Sequence, residues 1–235
     1  MGKLKLIIFD VDGTIADTEK YGHLPACNDA MNLIGLNIKW SWDNFKSMLH
    51  IPGSSNRLRM ELSKRNFEKE IIENYIGKFE PLKRKLYIEK YLPQIELRSG
   101  IIELITEAIN DKIKLAIVST SYEEQIKALL KTKLKKFAEH FEVILGKESG
   151  QKINNNGYLH KKCLRLASCL PGESLMIEDS DDGLKASICA GIPTAVFYND
   201  YTFGSPFEKA LLVAPSLEDF NLRQLKRIFS HRVTK

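Results

Sequence analysis

Short apolar segments recur along the chain and are separated by stretches with helical periodicity. Five runs have the length and composition of buried strands. They span residues 4–9, 114–118, 142–145, 174–177 and 194–198. Apolar residues repeat at helical spacing over residues 101–109, 159–170 and 184–188. Strands that alternate with helices favour a parallel sheet, so the pattern predicts an α/β fold with a doubly wound, mainly parallel, Rossmann-like sheet.

One connection between predicted strands is much longer than the others. From about Asp17 to Leu97 the pattern is helical, rich in Lys, Glu, Leu and Ile, and contains no convincing strand. A strand and the following helix are usually joined by only a few residues. We therefore expect an inserted α-helical cap subdomain at residues 17–97, and an α/β core domain made of residues 1–16 and 98–235.

Two carboxylates end the first predicted strand. Asp10 and Asp12 follow its apolar run, and Gly13 comes next. Ligands of open α/β folds bind at the carboxyl edge of the sheet, so both acids lie where a site is expected. Two neighbouring negative charges need a cation, and hard oxygen ligands favour Mg²⁺. Gly13 has no side chain that would keep a substrate away from the backbone.

Further polar groups follow the later strands. Ser119, Thr120 and Ser121 come after the second strand, Lys152 after the third, and Glu178 and Asp179 at the end of the fourth. A hydroxyl after a strand usually caps a helix, and a lone lysine is usually solvated. An acidic pair is less often accidental, because both charges must be solvated or paired. Together with Asp10 and Asp12, these residues are expected to form one cluster of polar groups at the same edge of the sheet.

Composition and charge restrict the classes of partner. The net charge is +5, but the densest basic run, residues 131–136, lacks the aromatic side chains that stack on bases, so we expect no nucleic-acid partner. No apolar segment is long enough for a signal sequence or a membrane span. The four cysteines lack metal-ligand spacing and favour a reducing compartment. We expect a cytoplasmic monomer, or a stromal protein if a plastid transit peptide has been removed.

The order of these motifs resembles the haloacid dehalogenase-like (HAD) hydrolase superfamily. The motifs are DVDGT at residues 10–14, Ser119, Lys152 and EDSDDG at residues 178–183. The resemblance covers essentially the whole chain, and the helical insertion matches the superfamily's α-helical cap. It implies a HAD-type phosphoric monoester hydrolase that acts on a small-molecule sugar phosphate.

A more specific similarity is to the CbbY-like branch, in its plant and cyanobacterial form. Residues 17–23 read DTEKYGH, similar to the branch's D-T-E-x-x-G-H, and residues 95–100 look like its L-R-P-G entry to the core. Residues 52–57 align with its G-G-G-K-E-R segment but carry Ser55 in place of the lysine. Both prolines of the branch's K-P-x-P-x-x-Y segment are also missing after Lys152. The branch implies xylulose-1,5-bisphosphate as the substrate.

The resemblance also implies a role for each core residue. Asp10 would be the nucleophile that forms an aspartyl-phosphate, and Asp12 the general acid and base. Ser119 and Lys152 would neutralise the phosphoryl oxygens. The Mg²⁺ ligands would be Asp10, the main-chain carbonyl of Asp12, Asp179 and, in support, Glu178.

Residues of the cap would bind the rest of the substrate. Glu19 and His23 lie near the hinge, and Arg57 is expected to bind a second phosphate because a guanidinium matches it bidentately. Lys83 is a candidate replacement for the missing lysine, although an exposed helical lysine is the favoured interpretation. The remaining predicted substrate contacts are Gly13, Thr120 and Ser121.

Three other functions share these motifs. A phosphomutase resembling β-phosphoglucomutase would form an isomer without net release of phosphate. A phosphatase of another small ester, such as phosphoglycolate or a sugar monophosphate, fits the altered cap loop. An inactive module that senses a phosphate ligand would show no Mg²⁺-dependent turnover, and the intact strand-end residues argue against it.

Overall fold

The computed structural model of the protein describes residues 3–153 and 156–231. These residues form two compact units. One consists of the described chain up to Ala16 and from Leu97 onward, and the other spans Asp17–Glu96. The second boundary lies one residue earlier than the sequence pattern predicts, because Leu97 pairs with Ala16 in an antiparallel bridge and so belongs to the first unit.

The first unit is built on a six-stranded sheet whose paired strands are all parallel. Its strands are β1 (Leu6–Phe9), β2 (Lys114–Val118), β3 (Phe141–Leu145), β4 (Ser174–Glu178), β5 (Thr194–Phe197) and β6 (Leu212–Ala214). The order β3-β2-β1-β4-β5-β6 is that of a doubly wound, Rossmann-like sheet, which confirms the predicted fold class. Strand β6 was not among the predicted strands, although it lies within the apolar run ALLVA at residues 210–214; only three residues of this run form the strand, at the partly buried edge of the sheet.

The second unit is α-helical. Its α-helices are α1 (Leu24–Leu33), α2 (Trp42–Ser47), α3 (Ser54–Lys64) and α4 (Lys69–Leu86), and π-helical turns span Glu19–His23 and Tyr87–Tyr91. From Asp17 to Glu96, a range that the structure describes in full, no strand is formed. The unit has its own apolar core, in which Met31, Phe45 and Phe79 are fully buried.

The helices of the first unit lie between and after its strands. They are α5 (Ile101–Asn110), α6 (Glu123–Lys133), α7 (Tyr158–Ala167), α8 (Asp181–Ile188) and α9 (Leu222–Ser230). Three of them, α5, α7 and α8, fall on the predicted helical stripes. Across the described residues, no helix is both long enough and apolar enough to cross a bilayer.

Strand β1 lies deep in the core of the first unit. None of its four side chains has accessible surface, and each such burial contributes about 1.5–3 kcal/mol. Leu6 and Ile8 pack in one cluster with Leu159 and Cys163 of α7. A strand buried on all sides has a continuous apolar sequence rather than an alternating one, which is why LIIF marks this strand so clearly.

Candidate active site

The order of strand addition reverses next to β1, which lies between β2 and β4 in the sheet. Ligands of open α/β sheets bind at the carboxyl ends of the strands at such a switch point. Asp10 and Asp12 follow β1, while Glu178 ends β4 and Asp179 follows it. The Asp10 amide donates to the Ile177 carbonyl at 3.0 Å, so the parallel register continues past β1 and brings both acidic pairs to one edge.

Lys152 connects the two acidic pairs. Its ammonium nitrogen lies 2.5 Å from Asp10 Oδ1 and 2.5 Å from Glu178 Oε1. All three side chains are at most 8% exposed, and charges interact more strongly when water is excluded. Lys152 is therefore a buried member of the acidic cluster and not a solvated surface lysine.

Burial raises the pKa of two carboxyl groups in this cluster, those of Asp10 and Asp179. The pKa of Asp10 lies well above its usual range because of burial and the neighbouring carboxylates, although Lys152 lowers it in part. The pKa of Asp179 is raised to about 7 by burial and by the charge of Glu178. Burial alone would lower the pKa of Lys152, but Asp10 and Glu178 outweigh it and raise that pKa. A further cation beside these carboxylates would therefore stabilise their charged forms.

Glu178 is held at both carboxylate oxygens. Oε1 pairs with Lys152, while Oε2 accepts hydrogen bonds from the Asp179 amide (3.1 Å), the Ser180 amide (3.4 Å) and the Ser180 hydroxyl (3.2 Å). The carboxylate also fills the space beside Gly183. A Cβ on Gly183 would lie less than 3.0 Å from the carboxyl carbon and both oxygens, so the position of Glu178 requires a glycine there.

Asp179 is held by two residues that are not among the predicted site residues. The Thr14 hydroxyl donates to Oδ1 at 3.2 Å, and the Asn199 side-chain amide donates to Oδ2 at 2.7 Å. Asn199 follows β5 by two residues. The strand-end rule that located Asp10 and Asp179 also covers this position, but an asparagine after a strand is common in turns and gave no distinct signal.

Arg98 connects the loop after β1 with the loop after β5. Its guanidinium donates to the carbonyls of Gly13, Phe197 (2.6 Å), Tyr198 (2.9 Å) and Pro215 (3.2 Å). In the sequence, Arg98 belongs to the segment that resembles the branch's entry to the core, and that resemblance predicts no role for it. Its contacts show that it fixes the backbone around the site.

Gly13 is needed for close packing as well as for its backbone conformation. Its φ is +84°, and a Cβ there would come within 3.0 Å of Tyr201, Asp179 and Asn199 side-chain atoms. Its amide donates to the Ala16 carbonyl at 2.9 Å. The predicted contact of Gly13 with substrate remains a prediction, while the packing gives an independent reason for the glycine.

The hydroxyl groups that follow β2 include one that contacts Asp12, the second acid after β1. Ser121 Oγ donates to Asp12 Oδ2 at 2.5 Å, and the Ser121 amide donates to Ser119 Oγ at 3.1 Å. Ser119 is fully buried, whereas Thr120 is exposed. The Asp12 carboxylate is thus oriented by a hydroxyl donor on the neighbouring loop.

Three of the acids are arranged so that they could hold a divalent cation. Asp10, Glu178 and Asp179 each offer a carboxylate oxygen within 4.8 Å of the others, and all three residues are buried. Oxygen donors are those that Mg²⁺ prefers. The donor chemistry and the surplus of buried negative charge both fit Mg²⁺.

The predicted cap residues lie in the second unit, where Arg57 is buried. Arg57 Nε donates to the carbonyls of Met48 (3.1 Å) and Ile51 (3.0 Å), and Nη1 lies 3.6 Å from Glu19 Oε2. The guanidinium also lies over the Phe45 ring, 4.9 Å from its centroid. Arg57 and Glu19 are therefore neighbours within the helical unit.

His23 contacts a second buried cation of the same unit. Its Nδ1 lies 2.9 Å from Lys83 Nζ, and its ring stacks on Tyr87 with centroids 4.3 Å apart. Lys83 is only 8% exposed, so its interpretation as an exposed helical lysine was wrong.

Comparisons with known proteins agree with this geometry. The haloacid dehalogenase-like hydrolase family profile matches residues 7–197. "Protein CbbY, plasmid" from Cupriavidus necator is 34% identical over 223 residues, covering 92% of this chain and 87% of its own. Protein CbbY from Rhodobacter capsulatus is 31% identical over 217 residues, covering 92% and 94%.

A solved structure shows the same similarity across both units. A mutant of CbbY from Rhodobacter sphaeroides, in complex with xylulose-(1,5)bisphosphate, superposes with a TM-score of 0.78 at 26% identity. The match covers 92% of this chain and 96% of that one. These findings confirm the predicted family and the predicted enzyme class. The chain belongs to the haloacid dehalogenase-like hydrolase family and is a CbbY-like phosphoric monoester hydrolase.

Proposed function

We propose that this enzyme is a Mg²⁺-dependent phosphatase of a sugar bisphosphate, with xylulose-1,5-bisphosphate as its substrate. The observation that carries the proposal is the buried pairing of Lys152 with Asp10 and Glu178 beside Asp179. It combines a nucleophilic carboxylate, a fixed cation and acids suited to a metal. The relative crystallised with xylulose-(1,5)bisphosphate supports the choice of substrate. The free cysteines fit a reducing compartment such as the cytoplasm.

Asp10 supplies the nucleophile in this proposal. Its carboxylate attacks phosphorus as the bond from phosphorus to the sugar oxygen breaks, and water then hydrolyses the aspartyl-phosphate. Lys152 holds Asp10 Oδ1 and, with Ser119, neutralises the phosphoryl oxygens. Asp12, oriented by Ser121, protonates the leaving sugar oxygen and later accepts a proton from the attacking water.

The residues that would hold Mg²⁺ are Asp10, Asp179 and the main-chain carbonyl of Asp12. When bound, Mg²⁺ would offset the repulsion between these carboxylates and an incoming phosphate. Glu178 has both oxygens engaged by other groups. We therefore assign it a supporting role, in which it holds Lys152 and the backbone of Asp179 in place.

The second phosphate of a bisphosphate would be recognised by Arg57. A guanidinium matches a phosphate bidentately, and the exchange of the branch's lysine for Ser55 removes one cation from this recognition. Lys83, buried in the same unit beside His23, restores a second positive charge. Glu19 pairs with Arg57 and would orient the guanidinium.

Phosphate release tests the proposal directly. We expect release from xylulose-1,5-bisphosphate to be abolished by EDTA and to exceed release from xylulose 5-phosphate, phosphoglycolate and β-glucose 1-phosphate. A monophosphate turned over equally well would refute the bisphosphate assignment. Isomer formation without release would identify a phosphomutase, and the absence of any Mg²⁺-dependent turnover would refute the phosphatase.

Replacement of Arg57 tests the recognition of the second phosphate. A lost charge-assisted hydrogen bond is worth about 1.5–3 kcal/mol, so Arg57→Ala should raise KM for the bisphosphate about tenfold or more. KM for a monophosphate should stay within about twofold. Arg59→Ala is the matched control, because Arg59 lies on the same helix but is only half-buried and pairs with Glu73. Equal changes for both substrates would exclude this role for Arg57.

A further inference from the structure

We propose that Asn199 is a positioning residue that fixes the Asp179 carboxylate for cation binding. The inference rests on the proposed Mg²⁺-dependent function. Asn199 Nδ2 donates to Asp179 Oδ2 at 2.7 Å and also reaches the Gly13 carbonyl at 3.5 Å. Asn199 therefore contacts a candidate metal ligand directly. It donates a hydrogen bond to that carboxylate and, because its side chain is neutral, brings no charge that would compete with a cation.

The orientation of the Asn199 amide is determined by its own loop. Its Oδ1 accepts hydrogen bonds from the Thr202 amide (3.1 Å), the Thr202 hydroxyl (3.1 Å) and the Tyr201 amide (3.2 Å). Three donors on one side require the carbonyl oxygen there, so the NH₂ group must face Asp179. The turn thus presents a donor to the carboxylate before any ligand is bound.

Asp179 is held from two sides. Thr14 Oγ1 donates to Oδ1, and Asn199 donates to Oδ2. With one donor on each oxygen, the carboxylate plane is fixed, while each oxygen keeps a further lone pair for a cation. Hydrogen-bond partners of this kind orient metal ligands, and their loss typically weakens metal binding 10–100-fold.

The loop that carries Asn199 is fixed by the backbone contacts of Arg98. The guanidinium binds the carbonyls of Phe197 and Tyr198, which directly precede Asn199, and the carbonyl of Gly13. The same side chain therefore ties the Asn199 loop to the loop that follows β1. This connection gives the amide a fixed distance from Asp179 rather than an adjustable one.

Calorimetric titration of the metal-free full chain with Mg²⁺ tests the inference without relying on activity. Asn199→Ala should raise the Mg²⁺ Kd 10–100-fold, while kcat at saturating Mg²⁺ should change much less. Asn199→Ser keeps an oxygen that can accept from the turn amides but is too short to replace the amide donor. It should weaken Mg²⁺ as alanine does, with an unchanged unfolding midpoint in EDTA.

Ser205→Ala is the local control, because it removes a hydroxyl from the same loop, and the hydrogen bonds of the Asn199 side chain are made with other residues. Its Mg²⁺ Kd should stay within twofold of the wild-type value. A Kd unchanged in Asn199→Ser would overturn the inference while leaving the phosphatase intact. A fall in the unfolding midpoint in EDTA with no change in Kd would show a purely structural role. A wild-type chain that binds no Mg²⁺ would overturn the metal dependence of the proposed function as well.

Discussion

Gly183→Ala is expected to destabilise the protein although it replaces a glycine inside a helix. Gly183 is the third residue of α8 and has no positive φ, so its backbone accepts alanine. The obstacle is steric, because the new Cβ would lie less than 3.0 Å from three atoms of the Glu178 carboxyl group. Either the helix or the carboxylate must move.

The magnitude follows from two opposing terms. Alanine in place of glycine within a helix normally stabilises by up to about 1 kcal/mol. Overpacking of a close-packed site costs about 1–3 kcal/mol, and movement of Glu178 also disturbs its 2.5 Å contact with Lys152. We therefore expect a net loss of about 1–2 kcal/mol in the free energy of unfolding, together with reduced kcat.

Urea denaturation in EDTA, with Gly77→Ala as the matched control, measures this loss. Gly77 is an exposed residue of α4, and a Cβ added to it would have open space for 4 Å around it, so alanine there should be neutral or stabilising. In a Glu178→Ala background the cost of Gly183→Ala should vanish, giving a coupling of about 1–3 kcal/mol. Additive effects of the two substitutions, or a stabilising Gly183→Ala, would refute the steric argument.

Two further predictions concern buried charge. Burial and the charge of Lys152 lower the pKa of His160 to about 3, so between about pH 6.5 and pH 3 the unfolded chain binds a proton that the folded chain does not. The contribution of His160 to the free energy of unfolding should therefore fall with acidification by up to about 1.4 kcal/mol per pH unit, opposite in sign to the contributions of Asp10 and Asp179, whose pKa values are raised. His160→Leu should remove that part of the slope in urea titrations at pH 6 and 4.5, and the exposed His140→Leu should not; equal slopes would contradict the prediction. Lys152→Met should cost about 3–5 kcal/mol at pH 8, because two buried carboxylates lose their cation, and should abolish phosphate release. An unchanged unfolding midpoint would show that the ion pairs contribute nothing.

The burial of Lys83 could have been predicted from the periodicity of its helix. Ile72, Ile76, Phe79 and Lys83 follow one another at spacings of four, three and four residues, so they share one face of α4. The first three are core residues, and Lys83 is buried with them. Periodicity placed the lysine correctly, whereas the usual exposure of lysine led to the opposite interpretation.

Five of the six strands, the helical insertion and the acidic residues of the site could be predicted from the sequence. Buried parallel strands require continuous apolar runs, and their carboxyl ends meet at one edge. Asp10 and Asp179 could therefore be located from the ends of LIIF and SLMIE alone. No contact between distant residues is needed to locate these two acids, because each of them directly follows its strand in the sequence.

Which groups pair across that edge depends on how distant segments of the chain fold against one another. Lys152 meets Asp10 across 142 residues of sequence, and Asn199 reaches Asp179 from a turn that no periodic pattern describes. Arg98 binds backbone carbonyls, which are present at every residue and leave no trace in the sequence. Such contacts depend on loop geometry and on burial, and both arise only when distant segments pack together.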